Sequence, residues 1–295
     1  MYLIFDIGGS ATKVAIINEY EKIIEKASIK AKSNLKDFLI SLEKTTQIAI
    51  EKFDIKGIGI SSPGTVDEVT GNVGGISALE YIHTYNFAYH LQEKFNLPVA
   101  IENDANCSAL CEMYFSKLEN KNIVFIVIGS GIGGAIINNG VLQKGRKLES
   151  GEFGYMLLRN NEGEYTNFSQ LATLPNVRRR IIEKYGIEKT TYEIFDLYFK
   201  NESPYYKEVN EMFQYLCMGI YNISYAIDPD EIYIGGGISQ SEKFINELLL
   251  KMDEGIFKDA KAIIKPVTYY NDNNLLGAYV NLIIKLKEGK KLCIQ

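Results

Sequence analysis

Short apolar runs alternate along the chain with longer amphipathic stretches. "YLIFD" at the start is a buried-strand run, "GGS" a turn, and "TKVAIINE" a second strand; "KIIEKASIK" reads as a third. Residues 34 to 52 carry Leu35, Phe38, Leu39, Leu42, Ile48 and Ile50 at roughly helical spacing. "IKGIGISSPG" is a strand running into a Pro-Gly turn, residues 87 to 96 a helix, and 99 to 102 another strand. The second half begins alike: the strand "NIVFIVIG", the glycine turn "SGIGG", and the strand "AIINNG". A helix is predicted over about 205 to 227, stopped by Asp228-Pro229. "EIYIGGG" is one more strand into glycines, followed by the helices "SEKFINELLLKM" and "NNLLGAYVNLIIKL". Strands alternating with helices predict an α/β class. No low-complexity linker divides the chain, and the most plausible junction lies near Asp104.

Three places break the pattern in a way that suggests chemistry. In "LPVAIENDANCSAL" an apolar strand ends in Glu102-Asn103-Asp104-Ala105-Asn106 just where a helix begins. Asp or Asn there can be a helix cap, but Asn103, Asp104 and Asn106 cannot all cap one helix. "FDIGGSATKVAII" and "VIGSGIGGAII" are each strand, glycine turn, strand. Such turns bring backbone N–H groups close to a ligand and can form a nest for phosphate oxygens. Each turn alone reads as a plain hairpin. Two matching turns, with "IGGG" after a third strand, favour a nucleotide. Asp6 stands at the rim of the first turn, where a carboxylate can hold Mg²⁺ through water. A dinucleotide-binding motif needs a helix after the glycines, and here a strand follows; no P-loop motif occurs.

Composition narrows the partners. The chain has 295 residues, 46% hydrophobic and 23% charged, enough for two ordinary domains with sizeable cores. With 32 Lys+Arg and 37 Asp+Glu, the net charge is 32 − 37 = −5, and no basic block suggests nucleic acid or an anionic membrane as partner. "MYLIF" is too short for a signal peptide and no apolar run approaches the length of a membrane span. Cys107, Cys111, Cys217 and Cys293 are scattered without a C-x-x-C pair, so reduced, buried thiols and a cytoplasmic location are expected.

"DIGGSATK" resembles the first phosphate hairpin of the sugar-kinase, actin and Hsp70-type ATPases, "IGSGIGGAI" the second, and "IYIGGGIS" the adenosine-site turn. "SSPG", "IENDAN" and "GEFGYM" at matching intervals narrow the resemblance to the ROK family of sugar kinases, over nearly the whole chain. It implies a two-domain actin-like ATPase (ribonuclease H-like) fold. Residues 1–104 with 275–295 would form a smaller domain and 105–274 a larger one, with the active site in a cleft that closes on substrate. The implied reaction is ATP-dependent phosphorylation of the C6 hydroxyl of a hexose or N-acetylhexosamine. N-acetylmannosamine or glucose comes first and a β-glucoside next. Asp104 takes the general base's position, and Asn103, Gly64, Ser77, Glu152, Tyr155 and Ser169 those of sugar contacts. Gly8, Gly9, Ser10, Thr12, Lys13, Ser130, Gly131, Gly236 and Gly237 map to the nucleotide, and Asp6 to the Mg²⁺ side. A homodimer is implied as well.

The chain departs from the family in one place. Most members carry Glu-x-Gly-His and a cysteine cluster that bind a structural zinc. Here Tyr155 replaces the His, and "RNNEGEYTNFSQLAT" contains no cysteine. A tetrahedral zinc site needs imidazole and thiolate ligands, so no zinc is expected. Tyr155 has core packing as its alternative role, and Ser169 stands where the family has a carboxylate. His83, in "GGISALEYIHTYNF", matches the family's sugar-specificity segment and could touch substrate, but a surface or partly buried polar role is expected of it. Two other classes compete with a kinase. A sugar-binding repressor would carry an N-terminal helix-turn-helix, for which a motif beginning at Asp6 leaves no room. A catalytically silent sugar sensor fits the lost zinc box, but not the retained Asp104, Glu152 and phosphate turns.

Overall fold

The computed structural model describes residues 1–75, 77–289 and 292. The chain divides into two compact units. The first comprises Met1–Glu119, Gly145–Glu149 and the segment from Asn271 onward; the second comprises Asn120–Lys144 and Ser150–Tyr270.

In the first unit, strands β1 (Tyr2–Ile7), β2 (Ala11–Ile17) and β3 (Ile23–Lys30) form an antiparallel meander. Helix α1 (Leu35–Lys52) crosses back to β4 (Ile58–Ser62), which lies parallel to β1. A small hairpin of β5 (Thr65–Val66) and β6 (Val73–Gly74) follows, then α2 (Phe87–Phe95) and β7 (Val99–Asn103), parallel to β4. Strand β7 runs directly into α3 (Asp104–Phe115). The sheet order is β3-β2-β1-β4-β7. β1, β4 and most of β7 are buried, as their continuous apolar runs require of parallel strands covered on both faces. Phe5, Phe38, Leu42, Ile60 and Phe87 are among the residues of the core cluster.

The second unit repeats the winding. β8 (Ile123–Ile128), β9 (Ile132–Asn138) and β10 (Val141–Leu142) are antiparallel. A hairpin of β11 (Leu157–Arg159) and β12 (Tyr165–Asn167) leads into the helices α4 (Phe168–Leu171), α5 (Leu174–Tyr185), α6 (Thr191–Phe199) and α7 (Tyr205–Ile227). β13 (Glu231–Gly235), α8 (Glu242–Met252) and β14 (Ile263–Pro266) complete it. The sheet order is β10-β9-β8-β13-β14, with β13 parallel to both β8 and β14. Each sheet is thus a three-strand meander followed by two parallel strands. In each, the first hairpin carries one of the glycine turns.

Helix α9 (Asn273–Lys287) returns to the first unit, packing on α3, β1, β4 and β7. It meets α3 backbone to backbone: a Cβ on Gly277 would lie 1.8 Å from the carbonyl oxygen of Cys107, so glycine is the residue that lets the helices approach. Cys107, Cys111 and Cys217 are buried free thiols, and burial pushes the Cys107 thiol up, as do the nearby carboxylates of Glu102, Asp6 and Asp104. Cys293 lies outside the described residues. Among the described residues, no helix is long and apolar enough to cross a membrane.

Candidate active site

A row of polar side chains crosses the first sheet. In register, Lys13 on β2 faces Asp6 on β1, Asp6 faces Ser61 on β4, and Ser61 faces Glu102 on β7. Residues directly opposite in a ladder share a face, so one face carries Lys13, Asp6, Ser61 and Glu102 beside apolar neighbours. Asp6 is 6% exposed, and its Oδ1 accepts hydrogen bonds from Ser61 Oγ (2.9 Å) and Asn274 Nδ2 (3.1 Å). Its Oδ2 lies 3.5 Å from Lys13 Nζ. Strand alternation puts Thr12 on the opposite face, where it is buried opposite Ile7. Between the two strands, Gly8, Gly9 and Ser10 form the turn, closed by Gly8 N–H donating to Ala11 O at 3.0 Å. Gly9 and Ser10 are exposed.

The break at residues 102–106 resolves into separate tasks. Asn103 is the cap of α3: its Oδ1 accepts the Asn106 N–H at 3.1 Å, and its Nδ2 donates to Gly64 O at 2.9 Å. Glu102 is buried, and its Oε1 accepts the Asn103 N–H (2.9 Å) and Asn106 Nδ2 (3.0 Å). Asp104 is therefore not the cap. It occupies the first helical position, half-buried, with Oδ1 2.8 Å from the Ala105 nitrogen. Gly64 sits at φ +95° under the His83 ring. His83 Nδ1 faces Val73 O at 3.3 Å, and a carbonyl can only accept, so Nδ1 carries the proton. Nε2 then accepts from Ser77 Oγ at 2.8 Å. His83 thus ties Ser77 to the loop that also holds Asn103 through Gly64; of the surface and partly buried roles expected of it, it takes the partly buried one.

In the second unit, the β8–β9 turn is closed by Gly129 N–H donating to Gly131 O at 2.9 Å, with Ser130 exposed. Ser169 Oγ accepts the Ile132 N–H at 2.8 Å and lies 3.3 Å from where a Cβ on Gly131 would be. Asn176 Nδ2 donates to Ser169 O and Thr173 Oγ1, both at 2.8 Å. The hydroxyl assigned to sugar is thus also the pin of the second glycine turn. Glu152 precedes a single helical turn, Phe153–Tyr155, whose last residue, Tyr155, is 71% exposed, which removes its core-packing alternative. At the end of β13, Gly236 has φ +85°, and a Cβ there would lie 2.2 Å from Ile128 O. Only glycine fits that position. Gly129, Gly237, Leu174, Phe195, Met212 and Ile238 help line a largely apolar pocket of about 250 Å³ at the ends of β8 and β13.

Sequence reasoning missed Ser61, Asn274 and the apolar lining from α5 to α7. The "ISS" before the Pro-Gly turn was a signal for Ser61, since two hydroxyls close an otherwise apolar buried strand. Asn274 left no local signal. Among the described residues no group of three or more His, Cys, Asp or Glu side chains is arranged to hold a metal ion. Asp6 alone, with one oxygen directed by two donors, fits a Mg²⁺ that takes most of its ligands from phosphate and water.

The family model described as "ROK family" matches residues 2–284. The chain belongs to the ROK family. It is 34% identical over 287 residues to a protein named beta-glucoside kinase from Listeria monocytogenes, covering 95% of this chain and 96% of that one. Among solved structures, a ROK family protein from Streptococcus pneumoniae in complex with sucrose is similar at 37% identity and TM-score 0.85, covering 97% of this chain and 99% of the other. A candidate N-acetylmannosamine kinase from Listeria monocytogenes is similar at 33% identity and TM-score 0.86, with the same coverage. The fold of this ROK chain is the actin-like ATPase fold expected from its sequence.

Proposed function

We propose that this ROK protein transfers the γ-phosphoryl group of ATP to the C6 hydroxyl of a sugar, with a β-glucoside as first choice. The observation that carries the reading is the division of labour at the start of α3. Asn103 does the capping, and the Asp104 carboxylate, whose Oδ1 accepts the Ala105 N–H, stands at the first position of the helix. There it accepts the proton of the C6 hydroxyl as that oxygen bonds to the γ-phosphorus and the bond to the β,γ-bridging oxygen breaks, releasing ADP. Asn103, Gly64, Ser77, Glu152, Tyr155 and Ser169 orient the sugar. The turns at Gly8–Ser10 and Ser130–Gly131 direct N–H groups at phosphate, with Lys13 beside them. Gly236, Gly237 and the apolar pocket of the second unit seat the adenosine. Mg²⁺, when bound on the Asp6 side, offsets the charge of the β- and γ-phosphates. No zinc is required, the location is cytoplasmic where ATP is supplied, and the working form is a homodimer.

The choice of a β-glucoside rests on the names borne by relatives at 34% identity. N-acetylmannosamine is the second reading, favoured by the neighbour at 33% identity, with glucose beside it. The test is coupled ADP release with Mg-ATP and a panel of cellobiose, methyl β-glucoside, glucose, mannose, N-acetylmannosamine and N-acetylglucosamine. A β-glucoside leading by kcat/KM supports the first choice. N-acetylmannosamine leading replaces it. Sugar binding without ADP from any of them would make the protein a silent sensor.

A further inference from the structure

We propose that Asn274, in the first turn of α9, is a positioning residue for phosphoryl transfer: it fixes the Asp6 carboxylate and ties it to the helix that begins at Asp104. The proposal rests on the kinase reading for its consequence, but on the first unit's own geometry for its substance.

Asn274 uses both ends of its amide. Nδ2 donates to Asp6 Oδ1 at 3.1 Å, and Oδ1 accepts from Ser108 Oγ at 2.9 Å. The orientation of the amide follows from its neighbours. Turned over, it would set a carbonyl oxygen against the Asp6 carboxylate and an N–H₂ group against Ser108, losing an attraction and gaining a repulsion. Ser108 lies four residues after Asp104, one helical turn along α3, so the two residues are neighbours on that helix. The chain of contacts therefore runs from Ser61 through Asp6 and Asn274 to Ser108. It links β4, β1, α9 and α3.

Two consequences follow for Asp6. Its Oδ1 takes two donors, Ser61 and Asn274, which fixes the carboxylate's rotation and directs Oδ2 toward Lys13. Hydrogen bonds to a charged acceptor are the stronger kind, the more so when buried, and Asp6 is 6% exposed. The contact of α9 with α3 at Gly277 and Cys107 allows little sliding between the two helices. Asn274, one turn earlier, is thereby held at a set distance from both. A packing residue could be replaced by any group of similar volume. Asn274 cannot, because the Asp6 carboxylate can only accept and needs a donor there, while Ser108 donates to the other end of the amide.

The test compares Asn274→Ala, Ser108→Ala and the double variant, with Asn281→Leu as control. Asn281 is on the same helix, 4% exposed, and its Nδ2 has no hydrogen-bond partner among the described residues, so changing it reports stability alone. Asn274→Ala is expected to lower kcat by about 10- to 100-fold, the range for losing a hydrogen bond to a charged group. The sugar KM should change less than about twofold, since no sugar contact is assigned to this network. Binding of Mn²⁺ with a non-hydrolysable ATP analogue, followed by electron paramagnetic resonance, should weaken in parallel with kcat. Ser108→Ala should show a smaller loss that vanishes in the Asn274→Ala background, because it acts through Asn274. Asn281→Leu should shift the melting temperature without changing kcat or Mn²⁺ affinity. Unchanged kcat and Mn²⁺ affinity in Asn274→Ala would overturn the proposal. So would losses equal to those of Asn281→Leu at the same melting temperature. If the wild type phosphorylates no sugar, the kinase reading fails, while the Mn²⁺ titration still decides whether Asn274 directs Asp6.

Discussion

Asn103 and Asp104 are adjacent, yet only Asn103 caps the helix: its Oδ1 takes the Asn106 N–H while Asp104 stands one position further in. The two substitutions should therefore fail differently. Asp104→Asn keeps the shape and the cap and removes the proton acceptor, so kcat should fall by about 10²–10⁴-fold with sugar affinity nearly intact. Near-normal turnover, measured by ADP release, would remove Asp104 as base. Asn103→Ala should instead lower stability by about 1 kcal/mol through the lost cap and weaken sugar binding together with it, as read by urea unfolding and calorimetric titration.

Nucleotide affinity should respond to the glycine turns of the second unit. Gly131→Val brings branched carbon toward Ser169 Oγ, and Gly236→Ala forces a Cβ against Ile128 O. Both should weaken binding of ATP at least tenfold, an effect of about 1.4 kcal/mol, while sugar binding changes less. Equal affinity for ATP in both variants, by calorimetry, would remove these turns from the nucleotide site.

Acid should attack the second sheet through Glu231. Burial pushes this carboxyl up, but hydrogen bonds from Lys121 (2.5 Å), Lys265 (2.9 Å) and Tyr233 (2.7 Å) outweigh it and hold it down at about 2. The folded-state pKa lies below the ordinary value of 4.5, so the stabilisation is present above pH 4.5 and is lost as pH falls from there toward 2. The shift corresponds to roughly 3 kcal/mol at neutral pH. Glu231→Gln should be less stable at pH 7 and should show a flatter loss of stability between pH 4.5 and 2. Parallel wild-type and variant curves in chemical denaturation would refute the assignment.

Helix α9 and α3 should tolerate nothing larger than glycine at their crossing. Gly277→Ala places a methyl 1.8 Å from Cys107 O, inside any van der Waals contact. The helices must then part, and overpacking of this kind costs about 1–3 kcal/mol or more. Urea unfolding of the variant should show a lowered midpoint with the same slope; an unchanged midpoint would mean the helices are free to separate.

Metal content gives a further check. The segment that would carry zinc ligands is instead a hairpin, Leu157–Arg159 paired with Tyr165–Asn167, beside the exposed Tyr155. Elemental analysis of purified protein should find far less than one zinc per chain, and EDTA treatment followed by Mg²⁺ should restore full activity. One zinc per chain would contradict this.

Much of this was legible in the sequence where local pattern decides. The helix expected over about 205 to 227 is Tyr205–Ile227, because a continuous amphipathic stripe ends at Asp228, in the left-handed conformation at φ 52° just before Pro229. The strand at 99 to 102 gained one residue, Asn103, which pairs with Ser62 before turning to cap α3. The glycine turns were legible because clustered glycines between two apolar strand runs mark a turn. What stayed hidden depended on partners far along the chain. Asn274 meets Asp6 across 268 positions, and no window of neighbouring residues contains both. The family resemblance places Ser169 at a sugar-contacting position, while its bond to Ile132, which joins residues 37 apart, is invisible to any local pattern. The pocket at the ends of β8 and β13 is walled by ordinary apolar residues of α5 to α7, whose helical periodicity reports only that they are buried.

The return of α9 has a consequence for how the protein is made. The ribosome delivers the strands of the first unit early, then all of the second, and only afterwards the helix that covers β1, β4 and β7. The second unit can settle while synthesis continues. The first must keep an apolar face open through that interval, in reach of chaperones, until residues 273–287 emerge and close it.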